Sequence, residues 1–518
     1  MGPPRVTRAR VASAGMLASV ATFAIEGVGS REVTVEVDVR AGLPVLTLVG
    51  LPDRAVRESR ERVRAALLNS GLEFPMKRLT VNLAPAHVQK TGPSFDLGIA
   101  VALLAASDQI PAAALRACAV FGELSLSGGL RPCRGALGAS LGARTAGYRR
   151  LIVPPENAAE AALVDTIEVL AAPDLTRIAE LFRGRWTPDP ARPHATGTES
   201  GSLPDLADVR GQEDAKRALE IAAAGGHNLL MIGPPGAGKT MLARRLPGIL
   251  PPPTFEEALE ITQVRSVAGL GDGSLASDRP FRSPHHTISP QGLVGGGSTP
   301  RAGEITLAHR GVLFLDELTE FGRPALDALR QPLEEGRVEI TRGQRWLEFP
   351  ASFMLVAACN PCPCGAASGS CSCDAGALAR YARRLSGPLL DRVDLVCQVG
   401  ALPAEELARP GSGTASAGVR ERVVAARASQ GERLRGLAAS CNGELDAAAT
   451  RERLRLRVGT RRTLVRGAVR AALSGRGYDR VLRVARTIAD LDGRKSVMAR
   501  DLEEALGYRL APTASAAA

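Results

Sequence analysis

Apolar positions along the chain follow two rhythms. In the middle, short unbroken runs stop abruptly at glycine-rich or polar residues: Leu229-Leu230-Met231-Ile232, Val312-Leu313-Phe314-Leu315 and Phe353-Met354-Leu355-Val356-Ala357-Ala358. Such runs predict strands buried on both faces. Nearer the start, Val33, Val35, Val37 and Val39 alternate with polar partners, which predicts a half-buried strand. Pro52 to Leu67 reads as a capped amphipathic helix. Val11 to Ile25, just after Arg10, is a mostly small and apolar run that imitates a signal peptide, but Glu26 interrupts it and the strand pattern follows. Nothing approaches the roughly 20 apolar residues of a membrane span. Arg337 to Trp346 reads as a hairpin with Gly343 at its tip.

Stretches rich in Pro, Gly, Ser and Thr divide these patterns. They predict an N-terminal domain over 1–186, a linker over 187–204, an α/β core over 205–400, a second linker over 401–418, a helical segment over 419–510 and a tail over 511–518. A chain of 518 residues has room for two to four such cores.

Charge adds a partner. The net charge is +11, and residues 451–500 hold fifteen basic side chains against four acidic ones. A polyanion such as DNA fits that excess, as does a well-solvated basic helical segment. With aromatics at 3%, phosphate contacts would outweigh base stacking. Nine cysteines, an odd number, do not read as a disulfide framework, and a cytoplasmic location is expected.

The candidate chemistry sits where the apolar runs end. Gly233-Pro234-Pro235-Gly236-Ala237-Gly238-Lys239-Thr240 joins a strand to a helix. Its glycines let backbone N–H groups face the phosphates of ATP, Lys239 adds a charge there, and the Thr240 hydroxyl can ligate Mg²⁺. The second run ends in Asp316-Glu317, a pair suited to completing the Mg²⁺ shell and polarising the attacking water. The third delivers Asn360 to the carboxyl edge, where ligands bind in open α/β sheets. Directly beyond stand Cys362-Pro363-Cys364 and Cys371-Ser372-Cys373, two close sulfur pairs that a loop can fold around a tetrahedral Zn²⁺. A disulfide in an oxidising cell or free thiols in a reducing one are the alternatives. His285-His286 lies in a long insertion; adjacent residues on an extended strand point to opposite faces, so the pair reads as structural.

These parts resemble the AAA+ ATPases, and the likeness extends to Leu385–Asp394. It implies that Arg392 acts as an arginine finger in a neighbouring subunit's site, and that Arg476 is the lid-domain sensor, with Arg480, Arg483 and Arg486 as neighbouring alternatives. Leu206 to Gln212 resembles the segment that packs on the adenine. In hexameric relatives a hairpin placed like Arg337–Trp346 points into the pore, which would put Arg342 and Arg345 on DNA phosphates.

Thr91-Gly92-Pro93-Ser94-Phe95-Asp96-Leu97 and Gly122-Glu123-Leu124-Ser125-Leu126 resemble the proteolytic domain of Lon proteases, whose catalytic dyad is a serine and a lysine. Ser94 falls on the serine. Leu137 takes the lysine's place and cannot activate a hydroxyl, which implies a non-proteolytic α+β domain; whether Lys90 substitutes stays open. A Lon-like domain, a magnesium-chelatase-type AAA+ core and a helical lid together resemble the ComM family, also called YifB. That resemblance implies a hexameric ring helicase driving DNA branch migration in recombination and natural transformation. A chelatase-type ATPase remodelling a partner protein is the alternative.

Overall fold

The structure is a computed structural model, and it describes residues 16–194, 203–297, 301–342, 345–366, 371–385, 389–403, 405, 413–454 and 456–509. The chain forms two compact units. One comprises residues 1–197 together with 265–275; the other comprises 198–264 and 276–518. This differs from the boundaries suggested by composition. The N-terminal unit runs past 186 because Pro190 bridges to Leu170 at the edge of its sheet. The helical C-terminal segment does not separate from the core.

The N-terminal unit is built on a seven-stranded mixed sheet. Its longest pair is antiparallel, Met16–Glu26 against Gly29–Arg40, with Val20 opposite Val35 and Ala18 opposite Val37. The alternating valines do what their period demands: Val33, Val35 and Val37 are fully buried. The apolar run that imitates a leader is thus largely a sheet strand. Helix Arg54–Asn69 starts where Asp53 accepts a hydrogen bond from the Val56 N–H at 2.8 Å, a side-chain cap on an otherwise orphaned amide. It buries Val56, Val63, Ala66 and Leu67.

The second unit is an α/β layer structure. Its five strands are all parallel, in the order Phe281–Arg282, Val312–Leu315, Met354–Cys359, Leu229–Ile232, Leu395–Gln398. Every residue of Val312–Leu315, Met354–Cys359 and Leu229–Ile232 is buried, as strands covered by helices on both faces must be. Parallel strands put all their carboxyl ends on one edge, so the three predicted site segments meet there. Helix Glu213–Gly225 packs against the C-terminal helices Ser416–Arg433 and Gly475–Leu491. Their shared core includes Leu219, Ala222, Val423, Val481 and Ile488.

Candidate functional site

Glycine shapes the phosphate loop at positions no other residue tolerates. A Cβ on Gly233 would lie 2.1 Å from the Val399 carbonyl oxygen, and Gly236 and Gly238 take φ of 77° and 90°. The loop closes onto the helix Lys239–Ala243. Lys239 Nζ donates to the carbonyls of Gly233 at 2.6 Å and Pro234 at 2.9 Å, and to Asn360 Oδ1 at 3.2 Å. Burial pushes its pKa down, against the opposing pull of the Asp316 charge. The ammonium thus stands in the mouth of the loop, held by groups that an incoming phosphate can replace.

Thr240 Oγ1 donates to Asp316 Oδ2 at 2.6 Å, while the Glu317 N–H donates to Asp316 Oδ1 at 3.0 Å. A hydroxyl and a carboxylate in direct contact at a loop of this kind are the donor set that Mg²⁺ with a nucleotide takes. Glu317 has φ 52°, a left-handed backbone that costs a non-glycine residue about 1–3 kcal/mol and is most often found at functional sites. Asn360 is fixed from behind: the Tyr381 hydroxyl donates to its carbonyl at 2.8 Å and in turn accepts from Thr319 at 3.3 Å. A cavity of about 410 Å³ adjoins this wall, lined in part by Glu317, Thr319, Asn360, Cys362 and Arg380.

Two residues named in the sequence make contacts that the sequence did not show. Gln212 Nε2 donates to the carbonyls of Ala237 at 3.2 Å and Gly400 at 2.6 Å, so the segment Leu206 to Gln212 does reach the phosphate loop. His286 Nδ1 lies 3.4 Å from Glu317 Oε2. The expectation that His285 and His286 point apart is corrected: they sit at a turn, not on an extended strand, and their rings approach to 4.1 Å between centroids.

Arg392 closes a short 3₁₀ turn, Leu390–Arg392, and its guanidinium is paired with Glu334 of the same chain. Arg476 is exposed in the first turn of helix Gly475–Leu491. Of its alternatives, Arg480 and Arg483 each stand 3.5 Å from the buried Asp394, and Arg486 pairs with Asp490 at 2.8 Å. The hairpin forms from Arg337–Arg342 and Arg345–Pro350, with Arg342 opposite Arg345. Gly343 at its tip, and the side chains of Arg342 and Arg345, lie outside the described residues.

The four cysteines converge. Cys362 and Cys364 sulfurs are 3.2 Å apart, Cys364 and Cys371 3.7 Å, and Cys371 and Cys362 3.6 Å; with Cys373 all lie within 4.8 Å of one another. The Ala366 N–H, a hydrogen bond from Cys362 and the Ser372 N–H bring the Cys364 thiol down to about 6.

In the N-terminal unit the two motifs are knitted together. Gly122 N–H donates to the Ser94 carbonyl at 3.3 Å, Leu97 N–H to the Gly122 carbonyl at 3.2 Å, and Asp96 forms a two-toothed pair with Arg62 at 2.7 and 3.0 Å. Leu137 is fully buried at the start of helix Ala136–Thr145. Lys90 is also buried, its ammonium bonded to the Pro85 carbonyl and its pKa lowered by burial.

Strand order, phosphate loop and acidic pair define a P-loop ATPase, and the family models place it in the magnesium-chelatase type. Magnesium chelatase, subunit ChlI, matches residues 205–407, subunit ChlI of Mg-chelatase matches 35–157, and magnesium chelatase, subunit ChlI C-terminal, matches 413–509. The chain is 46% identical over 502 residues to the uncharacterized protein YifB of Salmonella typhimurium, covering 95% of this chain and 97% of that one. It is 45% identical over 503 residues to competence protein ComM of Haemophilus influenzae, with the same coverage. A stretch of 140 residues is 32% identical to Lon protease 2 of Bacillus subtilis, 25% of each chain. The chain belongs to the ComM/YifB family. Among the described residues no helix is long and apolar enough to cross a membrane.

Proposed function

We propose that this ATPase is a cytoplasmic ring motor on DNA, a branch-migration helicase serving recombination and natural transformation. The observation that carries this reading is the arginine row on helix Val458–Arg470. Arg462, Arg466 and Arg470 recur every fourth residue, so they share a face, and all three are exposed with Arg461 beside them. A regular cationic stripe suits a polyanionic backbone better than it suits a folded protein partner. Arg342 and Arg345, paired at the end of the hairpin, add two phosphate contacts from the pore.

In this reading Thr240 and Asp316 hold Mg²⁺, which neutralises charge on the phosphates. Lys239 binds the β- and γ-phosphates, Glu317 orients and polarises the attacking water, and Asn360 senses the γ-phosphate. Arg392 reaches the next subunit's nucleotide in a hexamer, which requires it to leave or share Glu334. Arg476 contacts the γ-phosphate from the lid. The test is ATP hydrolysis with and without forked or four-way DNA. Binding should be sequence-independent and fall with salt at a log-log slope of about −0.7 to −0.9 per phosphate contact. Arg342→Ala with Arg345→Ala should flatten the slope and stop branch migration while ATP still binds. The family models for a chelatase subunit favour a second reading, an ATPase remodelling a partner protein. If forked DNA neither binds at low salt nor stimulates hydrolysis, while a protein partner does, that reading replaces the first.

A further inference from the structure

We infer that Cys362, Cys364, Cys371 and Cys373 bind one Zn²⁺ as a tetrathiolate centre that holds the Asn360 loop against the phosphate loop. Zn–S bonds of about 2.3 Å in a tetrahedron put the sulfurs about 3.8 Å apart. The sulfur separations of 3.2, 3.7 and 3.6 Å, with all four inside 4.8 Å, bracket that edge before any ion is considered. The backbone turns to allow it: Gly365 takes φ 72° and its N–H donates to the Cys362 carbonyl at 3.0 Å. The same turn touches the nucleotide site, because a Cβ on Gly365 would lie 2.9 Å from the Pro235 ring. Asn360 stands two residues before the first ligand and bonds Lys239. The centre therefore clamps sensor and phosphate loop together, and does no chemistry itself.

Full-length protein purified under reducing conditions should contain one zinc per chain by elemental analysis. Cobalt exchanged into the site should show the visible bands of a tetrahedral thiolate complex. Cys371→Ser with Cys373→Ser should lose the metal, and hydrogen exchange should quicken over residues 359–366 but not over the N-terminal unit. Absence of zinc, zinc unchanged in the double variant, or a disulfide-linked pair in the reduced protein overturns the inference. None of these readouts depends on ATP, so they fail or succeed separately from the motor reading.

A different contact carries a second inference: the geometry points to His286 as a positioning residue for Glu317. Strand Phe281–Arg282 lies beside Val312–Leu315 in parallel, so the loops after them leave the same edge. Arg282 anchors its loop by a two-toothed pair with Glu304 at 2.6 and 2.9 Å. His286 then reaches Glu317 at 3.4 Å, backed by the His285 ring and by the edge contact with Phe321 at 6.5 Å. An imidazole there fixes the direction of a carboxylate that is otherwise more than half exposed. His286→Ala should lower kcat for ATP about ten- to hundredfold with nucleotide Kd unchanged, and His286→Asn, which keeps a donor, should restore most of it. Parental kcat in the alanine variant, or a Kd that weakens in step, overturns the role. Glu317→Gln measured alongside separates this from an error in the role of Glu317 itself.

Discussion

At Leu137 the N-terminal unit buries an apolar side chain where the resemblance to Lon proteases implies a lysine, whereas at Lys239 the ATPase unit keeps an ammonium in a pocket that burial makes costly. Both positions stand early in a helix that follows a glycine turn, at Gly135 and at Gly238. On that resemblance one unit keeps the fold without the charge; the other accepts the cost of a desolvated charge that a bound phosphate can compensate. A fold is held by its apolar core and hydrogen-bonded turns, so it survives the loss of a reactive group, and the activity must be read from the site. Ser94 illustrates the point: its carbonyl ties two motifs together, a role that needs no hydroxyl chemistry.

The contrast is sharpest in hydrolysis. Arg392→Ala should reduce ATP turnover by on the order of 10³ to 10⁵, the effect of an arginine finger, while each chain still binds ATP. Mixing it with Lys239→Ala chains should restore part of the activity, since in the proposed ring the two defects fall on opposite sides of one subunit interface; confirmed mixed rings without rescue would place Arg392 outside the site. Glu317→Gln should trap nucleotide and lower kcat by roughly 10² to 10⁴, measurable as retained ATP in filter binding with little phosphate released.

A third prediction concerns the buried pair of basic side chains under the lid. Burial pushes the Asp394 carboxyl up, but the His227 ring 3.7 Å away and the charges of Arg483 and Arg480 outweigh it and hold the pKa at about 2, while the Asn228 N–H donates to the same carboxylate at 3.1 Å. A carboxylate depressed from about 3.9 contributes stability that is whole above pH ~4 and is lost as pH falls through about 2, a term of roughly 2–3 kcal/mol. Asp394→Asn should lower the melting temperature at neutral pH and remove that part of the acid limb. A variant with the parental acid profile would show that the pair carries no such term. The smallest expected effect is in the other unit: Ser94→Ala should change no casein cleavage, with ATP present, because there should be none to change. Cleavage that disappears with Ser94→Ala would put the missing base back, with Lys90 as the first residue to test.

Legibility in the sequence followed covalent closeness. The phosphate loop, Asp316-Glu317, Asn360 and the two cysteine pairs are short contiguous signals at strand ends, and each is where the parallel sheet brings it. The roles of His286 and Tyr381 were not legible because they come from a neighbouring strand end and a helix that meet the site only after folding, and Gln212 was legible only as the end of the segment resembling the adenine-packing one. Arg480 and Arg483 show a further limit: part of the basic excess in 451–500 is spent on Asp394, Asp479 and Asp490 inside the unit, and the surface keeps only a portion. Counting charges could not separate the two. The departure of residues 265–275 to the N-terminal unit also carried no signal that composition could register beyond glycines at 269, 271 and 273.

That departure has a consequence for how the protein is made. Helix Phe255–Ala268 contains the crossing point, so the N-terminal unit receives a piece of itself encoded well inside the ATPase sequence. A ribosome adding about 5–20 residues per second needs roughly 4–16 s to travel from residue 197 to 275. Throughout that interval residues 265–275 are not yet all made, so the first unit stays incomplete while the phosphate loop is already being synthesised. The two units cannot mature strictly one after the other. A gene fragment ending at the composition-based linker would encode the first unit without residues 265–275.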